Sequence, residues 1–271
     1  MTRGTPTPPS STPRWDADLY AANTAHHRRH DDDFLRGVTL RSAARVLDLG
    51  CGVGDLTARL AQLTGGDVLG VDADADMVAT ARQRATSARI RFAVGRAQDL
   101  DRLLPARSVD VVVSVAVLHW VPAADHPRVL AQVRRVLRRQ GVFRAEFGGS
   151  GQIAAVHELL DEESARVGGR PAGWYFPSEE DYRPLLADAG FAVPAHGWVR
   201  LLRQRRPMPD DRAFLGWLRS QVLVAYDPVV PAEAVRRFRR SAEERALAEL
   251  RRADGSYDQD YVRLDLLAVP H

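Results

Sequence analysis

The 271-residue sequence contains one cysteine, Cys51, and no lysine. A single cysteine excludes an intramolecular disulfide and a cysteine metal cluster. The lack of lysine excludes a Schiff base with pyridoxal phosphate, a Walker A phosphate loop and a lysine general base. All 38 basic residues are therefore arginine, and against 35 acidic residues they leave a net charge of only +3. So small an excess is weak evidence for a polyanionic partner.

Long apolar runs are also missing, and none approaches the eighteen or so residues that a membrane span needs. The first fourteen residues are rich in Thr, Pro and Ser and contain no apolar stretch, which favours a disordered tail over a signal peptide. We therefore expect a cytoplasmic protein without membrane association, as a monomer or a homodimer. A hydrophobic share of 45% with 27% charged residues is typical of a globular chain with a full core.

Short β-branched runs alternate with amphipathic stretches from Ala44 onward. The predicted strands are 45–49, 67–71, 89–94, 109–113 and 142–147. The predicted helices between them are 56–63, 76–84 and 127–139, the last ended by Gly141. This alternation predicts an α/β fold with a doubly wound, mostly parallel, seven-stranded sheet covered by helices on both faces.

The regular alternation of predicted strands and helices ends after Gly148. Helices are predicted at 153–167 and 179–189, a strand at 192–204, a largely helical block at 210–252 and a final strand at 261–269. The predicted domains are a tail (1–14), an N-terminal helical lid (15–42), an α/β domain (43–205), a helical cap (206–258) and the final strand of the α/β domain (259–271). We expect the helical block to lie over the carboxyl edge of the sheet.

A glycine-rich run, Asp48-Leu49-Gly50-Cys51-Gly52-Val53-Gly54, stands where the first strand turns into a helix. Glycines there permit a tight turn and a close approach of the backbone to a ligand. The dinucleotide fingerprint fails, because Asp55 occupies the place of its third glycine. Asp72 and Asp99 follow the next two strands, so three sites meet at the edge where open α/β sheets bind ligands. The alternative is that both carboxylates only cap helices.

Residues Val46 to Phe147 resemble the class I S-adenosylmethionine-dependent methyltransferases, which have this Rossmann-like fold. Within that class the chain looks most similar to the trans-aconitate and malonyl-carrier methyltransferase group. The matching segments are Val115 to Val121, Glu146 to Gly151, and Tyr175-Phe176-Pro177. The resemblance implies S-adenosylmethionine as cofactor and these residues around it: Arg29, Asp48, Gly50, Gly52, Gly54, Asp72, Ala73, Met77, Gln98, Asp99 and Ser114.

The acceptor side departs from that group. Val115 stands where a polar residue is usual, and His119 replaces a common glutamine. An imidazole there favours His119 as a general base for a hydroxyl or amine acceptor, although a structural histidine is the alternative. A carboxylate acceptor would instead call for a buried arginine, such as Arg29, Arg144 or Arg170. The predicted substrate-binding residues are Tyr20, His27, Trp120, Trp174, Tyr175 and Trp217.

Other features of the sequence bear on metal binding and on nucleic-acid binding. His26 and His30 have a spacing that could bind a metal, but charged neighbours favour a solvated or pocket-facing helix, so we expect none. Glu residues interleave with the Arg residues of 233–252, which disfavours a nucleic-acid methyltransferase and specific nucleic-acid binding. A cyclase that uses the fold as a scaffold remains an alternative, as does an RNA methyltransferase. We expect methylation of an O or N atom of a small molecule, in secondary metabolism.

Overall fold

A computed structural model describes residue 15, residues 34 and 35, and residues 37–271. The described residues form a sheet of eight strands, in the order β3-β2-β1-β4-β5-β8-β6, with β7 paired to β8. Strands β1 to β5 are parallel, and β8 runs antiparallel to β5 and β6. The strands are β1 (Val46–Leu49), β2 (Val68–Asp72), β3 (Ile90–Val94), β4 (Val109–Val115), β5 (Leu137–Gly148), β6 (Phe191–Ala192), β7 (Trp198–Met208) and β8 (Tyr257–Pro270). The doubly wound, mostly parallel α/β sheet is confirmed, with one strand more than expected.

Helices alternate with these strands along the chain. They are α1 (Asp55–Leu63), α2 (Ala75–Arg84), α3 (His126–Val136), α4 (Ala154–Arg166), α5 (Glu179–Asp188), α6 (Asp211–Trp217) and α7 (Val235–Leu250). Asp74 caps α2 by accepting from the amides of Asp76 and Met77, and Ser178 forms a capping box with Asp181 at α5. A π-helix (Leu218–Val222) follows α6 directly.

Two apolar cores cover the two faces of the sheet. Val46 and Val111 belong to one core, and their chain neighbours Leu47 and Val112 belong to the other. Successive side chains of a strand point to opposite faces, so strands buried on both faces must be apolar at every position. The continuous apolar runs of β1 and β4 therefore place them in the middle of the sheet.

Several predicted boundaries were wrong, among them the start of the final strand, which was expected at residue 261 and lies at Tyr257. The helix expected over 127–139 ends at Val136, and β5 begins at Leu137 instead of residue 142. Leu137 is fully buried in register with Val109 of β4, so strand pairing and core packing take it out of the helix. The strand expected over 192–204 is divided into β6 and β7 by a turn in which the Gly197 amide donates to Pro194 O. Proline has no amide hydrogen to continue a ladder.

A separate compact unit contains 154–173 and 207–258, whereas the sheet unit contains 37–153, 174–206 and 259–271. In the former, α4 packs against α7. Buried Glu163 accepts hydrogen bonds from Ser241 and Arg245 across that contact. Residues 154–173, which the sequence grouped with the α/β domain, thus join the predicted cap in packing. The domain boundaries and the expected position of the helical cap over the carboxyl edge of the sheet stay predictions.

No helix in the described part of the chain is long and apolar enough to cross a membrane. Among the same residues there is no group of three His, Cys, Asp or Glu side chains that could hold a metal ion. His26 and His30 lie outside the described residues.

His126 is a fully buried histidine of the sheet unit that makes the fold sensitive to acid. Its Nδ1 accepts from the Tyr182 hydroxyl at 3.0 Å, and Nε2–H lies 3.1 Å from Leu118 O. Burial lowers the pKa of His126 to about 4. The unfolded chain binds a proton below pH 6.5 and the folded chain only near pH 4, so stability falls as the pH drops through this window.

Between pH 7 and pH 5 this histidine should lower the free energy of unfolding by about 2 kcal/mol. Urea unfolding at pH 7 and pH 5 measures this decrease in the wild type and in His126→Gln. The decrease in the free energy of unfolding should be smaller in His126→Gln by about 2 kcal/mol. The same pH dependence in both proteins would contradict the assignment.

Candidate active site

The glycine-rich loop after β1 has three residues with left-handed backbone, Gly50 (φ 80°), Gly52 (φ 51°) and Gly54 (φ 87°). The amides of Gly50 and Cys51 donate to Val71 O, at 2.7 and 3.1 Å, and so fix the loop to the end of β2. A Cβ on Gly50 would lie 2.0 Å from the Val117 side chain, and one on Gly54 would lie 2.8 Å from Phe92. Glycine is required at both positions by backbone conformation and by space.

Gly52 differs from the other two glycines because it faces open space. A Cβ there would meet nothing within 4 Å. The Gly52 amide donates to Asp72 Oδ2 at 2.8 Å, and the Asp74 amide donates to Asp72 Oδ1 at 2.9 Å. The loop and the carboxylate at the end of β2 are therefore one hydrogen-bonded unit bordering an open space.

The Asp72 carboxyl is in an environment that resists ionisation. Burial raises its pKa, against the backbone amides of Asp74 and Gly52, which lower it. A half-buried carboxylate that borders an open space can accept hydrogen bonds from ligand hydroxyls. The role of Asp72 in binding the cofactor stays a prediction.

Asp48 and Cys51 are buried members of the same loop. Asp48 Oδ2 accepts from the Thr57 hydroxyl of α1 at 2.6 Å, a partner that the sequence analysis missed. Burial raises the pKa of the Cys51 thiol far above its usual range, and the charges of Asp48 and Asp72 raise it further. Cys51 is therefore a packed thiol in the loop, held in its neutral form.

The predicted adenine-side residues follow β3 in a 3₁₀ helix (Ala97–Arg102). The Gln98 amide donates to Asp125 Oδ2 at 3.0 Å, and Arg128 pairs with Asp99 Oδ1 at 2.7 Å. Arg128 also donates to Gln98 O at 2.9 Å. Both side chains are thus held by α3 and by the turn before it, which orients them but also occupies part of their hydrogen-bonding capacity.

Three further predicted residues surround this edge of the sheet. Met77 is buried in the first turn of α2, Ala73 is exposed just before it, and Ser114 is buried in β4. The Ser114 hydroxyl donates to Leu49 O at 2.9 Å, so it ties β4 to β1 just before the glycine loop. The structure brings these residues to the edge expected, and their contacts with a cofactor stay predictions.

His119 is buried beyond the end of β4, and its ring is fixed by the backbone of β5. The Gly148 amide donates to His119 Nδ1 at 3.2 Å. Burial lowers the pKa of His119 well below 6.5, and the charge of Arg263 lowers it further, so the ring is neutral at pH 7. Because Nδ1 is the acceptor, the proton of the neutral ring lies on Nε2. This geometry favours His119 as a hydrogen-bond donor over the base expected from the sequence.

Aromatic rings pack around His119. Its centroid lies 5.4 Å from that of Trp120 and 5.7 Å from that of Phe176. Trp174 stacks on Phe176 at 5.7 Å, whereas Tyr175 turns towards His126 at 4.7 Å. Trp120 and Phe176 therefore adjoin the predicted catalytic residue, and Trp174 packs against both of these rings.

The structure does not test the roles of five further predicted residues. Tyr20, His27 and Arg29 lie outside the described residues. Trp217 and Arg170 belong to the other compact unit, and Arg170 is exposed. Their roles stay predictions.

Comparison with known proteins agrees with this geometry. A family model described as a methyltransferase domain matches residues 46–141. The trans-aconitate 2-methyltransferase of Mycolicibacterium gilvum is 32% identical over 89% of this chain and 93% of its own. The corresponding enzyme of Rhodococcus jostii is 34% identical over 77% of this chain and 80% of its own. This chain belongs to the class I S-adenosylmethionine-dependent methyltransferases, in the trans-aconitate methyltransferase group.

A solved structure shares the fold of this methyltransferase. The Bacillus subtilis YcgJ protein superimposes with a TM-score of 0.62, covering 90% of this chain and 99% of its own, at 17% identity. As a member of this class, the protein uses S-adenosylmethionine as its methyl donor. The open space at Gly52 and the carboxylate of Asp72 beside it fit such a ligand, because they combine close backbone approach with acceptors for ribose hydroxyls.

Replacing Asp72 with alanine should weaken S-adenosylmethionine binding by about 1–3 kcal/mol, since charge-assisted hydrogen bonds are lost. Asp74→Ala is the matched control, because its carboxylate caps α2 and its loss should lower stability with little effect on affinity. Titration calorimetry with S-adenosylhomocysteine measures the affinity of each variant. Equal losses of affinity in the two variants would refute a direct role for Asp72.

Proposed function

We propose that this methyltransferase transfers the methyl group of S-adenosylmethionine to a carboxylate oxygen of a small polycarboxylic acid, with trans-aconitate as the first candidate. The observation that carries the proposal is the similarity over most of the chain to enzymes named trans-aconitate 2-methyltransferase.

The geometry of His119 supports a carboxylate acceptor. A carboxylate is deprotonated at neutral pH and attacks without losing a proton, whereas a hydroxyl or amine gains from a base. The lone pair of His119 is directed at the Gly148 amide, so proton removal there would cost the hydrogen bond that fixes the ring. The preference for a hydroxyl or amine acceptor, which depended on His119 as a base, loses its support.

Positioning is then the main task of the protein. S-adenosylmethionine supplies, when bound, a methyl group activated by a positive sulfur. The glycine loop and Asp72 hold the donor side, and His119, fixed through Nδ1, presents its Nε2–H as a donor that can orient an oxygen of the acceptor. The half-buried rings of Trp120 and Trp174 exclude water from the same region. Holding two reactants in line contributes a large part of the rate enhancement in such displacements.

The charged surface of the other compact unit supports a small acceptor over a nucleic acid. Arg219 pairs with Glu243, Arg239 with Asp227, and Arg245 with Glu249. Arginines neutralised in this way are poor ligands for a phosphate backbone. We retain the expectation that nucleic acid binds without specificity.

The proposed function is tested by incubating the purified protein with S-adenosylmethionine and trans-aconitate and detecting the methyl ester by mass spectrometry. A matched alcohol and a matched amine without carboxylates serve as control acceptors. Ester formation with trans-aconitate or a related acid, and none with the controls, is expected. Methylation of only the alcohol or the amine would overturn the proposal.

The role of His119 is tested with His119→Gln, which keeps a side chain that can both accept from Gly148 and donate. Turnover within about tenfold of the wild type is expected. A loss of about a hundredfold or more would restore the role of general base.

A further inference from the structure

One face of the sheet carries a row of charged side chains at buried positions. On β5 these are Arg144 and Glu146, and on β8 they are Arg263 and Asp265. Alternate residues of a strand share a face, so each pair lies side by side. Burying charges is costly unless each one is paired, and the pairing along this row is uneven.

At the Arg144 end of the row, the charged side chains have partners within the fold. Arg144 pairs with Asp265 and also donates to Phe34 O at 2.8 Å and to Leu266 O at 3.0 Å. Arg200 of β7 pairs with the second oxygen of Asp265 at 3.0 Å. Arg144, one of the arginines considered for an acceptor carboxylate, is therefore engaged in the fold.

The other end of the row brings two arginines to one aromatic ring, that of Tyr261. Arg263 Nε pairs with Glu146 Oε1 at 3.2 Å. The Arg206 guanidinium lies over the Tyr261 ring at 3.3 Å from its centroid, and that of Arg263 lies 4.9 Å from the same centroid. Arg206 Nη1 is buried and has no hydrogen-bond partner among the residues that the structure describes.

This cluster lies at the edge of the sheet that carries the active site. Gly148, whose amide holds His119, is the register partner of Arg263, and Glu146 is the partner of Val115 at the end of β4. The charge of Arg263 also acts on the His119 ring. Strand β8 lies three strand spacings, about 15 Å, from β1, which carries the glycine loop.

We propose that Arg206, held over the Tyr261 ring, binds a carboxylate of the acceptor that is not the one methylated. The inference rests on the proposed function, because only an acid with at least two carboxylates can use it. A buried guanidinium donor without a partner is costly, and a carboxylate supplies the bidentate acceptor that guanidinium fits best. Glu146 neutralises Arg263, so the cluster keeps one positive charge for the ligand.

The test measures binding of trans-aconitate to the protein saturated with S-adenosylhomocysteine, by calorimetry. Arg206→Gln should raise Kd for trans-aconitate at least tenfold and leave Kd for S-adenosylhomocysteine unchanged. Arg206→Lys, which keeps the charge but loses the fork, should lie between Arg206→Gln and the wild type. Arg203→Gln is the matched control, because it removes the same charge from an exposed position on the opposite face of β7. It should change the Kd of either ligand less than twofold.

The outcomes separate this inference from the proposed function. If the wild type forms the methyl ester and Arg206→Gln binds trans-aconitate as well as Arg203→Gln does, the inference is overturned and the function stands. If the wild type binds trans-aconitate through Arg206 but methylates no carboxylic acid, the function fails and the site stands. A monocarboxylate of similar size should bind weakly, with no difference between the wild type and Arg206→Gln. Loss of S-adenosylhomocysteine binding in both Arg206 variants would assign Arg206 to the fold and overturn the inference.

Discussion

Replacing Asp265 with alanine should lower the free energy of unfolding by about 3–5 kcal/mol. Asp265 is 1% exposed and pairs with both Arg144 and Arg200. Burial already lowers the pKa of Arg144, and Asp265 opposes that effect. Without the Asp265 carboxylate, the guanidinium of Arg144 remains buried, and the weaker effect of the Glu146 charge is left to offset it.

Asp55→Ala is the control for this prediction. Asp55 pairs with Arg84 at 2.9 Å, but both side chains are more than a third exposed. Such surface pairs contribute about 0–1 kcal/mol, so this variant should unfold close to the wild type in urea. Similar losses in the two variants would show that burial of the Asp265 pair does not matter for stability. Should Asp265→Ala fail to accumulate, Asp265→Asn, which keeps the volume and two polar atoms, gives the same comparison.

The parallel core of the fold was predictable because its sequence pattern is local. Val46 to Leu49 and Ile90 to Val94 are short apolar strands bounded by glycines or charged residues, and the structure places them within a residue of the expected bounds. The start of β5 was not predictable in this way. Leu137 continues the helical period of α3, and only its register with Val109, a contact between distant segments, makes it a strand residue.

The donor side of the site was predictable for a similar reason. The glycines and Asp72 stand at the ends of successive strands, and parallel strands bring their carboxyl ends to one edge. The acceptor side depends on contacts that no local pattern reveals. Gly148 holds His119 from 29 positions away, and Arg263 pairs with Glu146 across 117 positions. Arg263 and Asp265 stand at alternate positions of the apolar stretch 261–269, a feature that could have indicated a buried polar row and that the sequence analysis did not use.

Gly50→Ala and Gly52→Ala should separate the two functions of the glycine loop. At Gly50 a Cβ would lie 2.0 Å from Val117 with φ at 80°, so either the loop or the segment after β4 must move. Strain at such a backbone costs about 1–3 kcal/mol, and overpacking adds about 1–3 kcal/mol. We therefore expect Gly50→Ala to lower both the free energy of unfolding and the affinity for S-adenosylmethionine, the latter by about a hundredfold or more.

At Gly52 the protein has room for the methyl group, since nothing lies within 4 Å of its Cβ position and φ is 51°. A non-glycine residue with this backbone costs about 1 kcal/mol, so Gly52→Ala should fold with only a small loss of stability. Its Cβ would instead occupy the space assigned to the cofactor, and affinity should fall about tenfold or more. Urea unfolding and calorimetry on the same samples measure both quantities. If Gly52→Ala binds S-adenosylhomocysteine as tightly as the wild type, the cofactor does not lie against Gly52, and the open space beside Asp72 has another use.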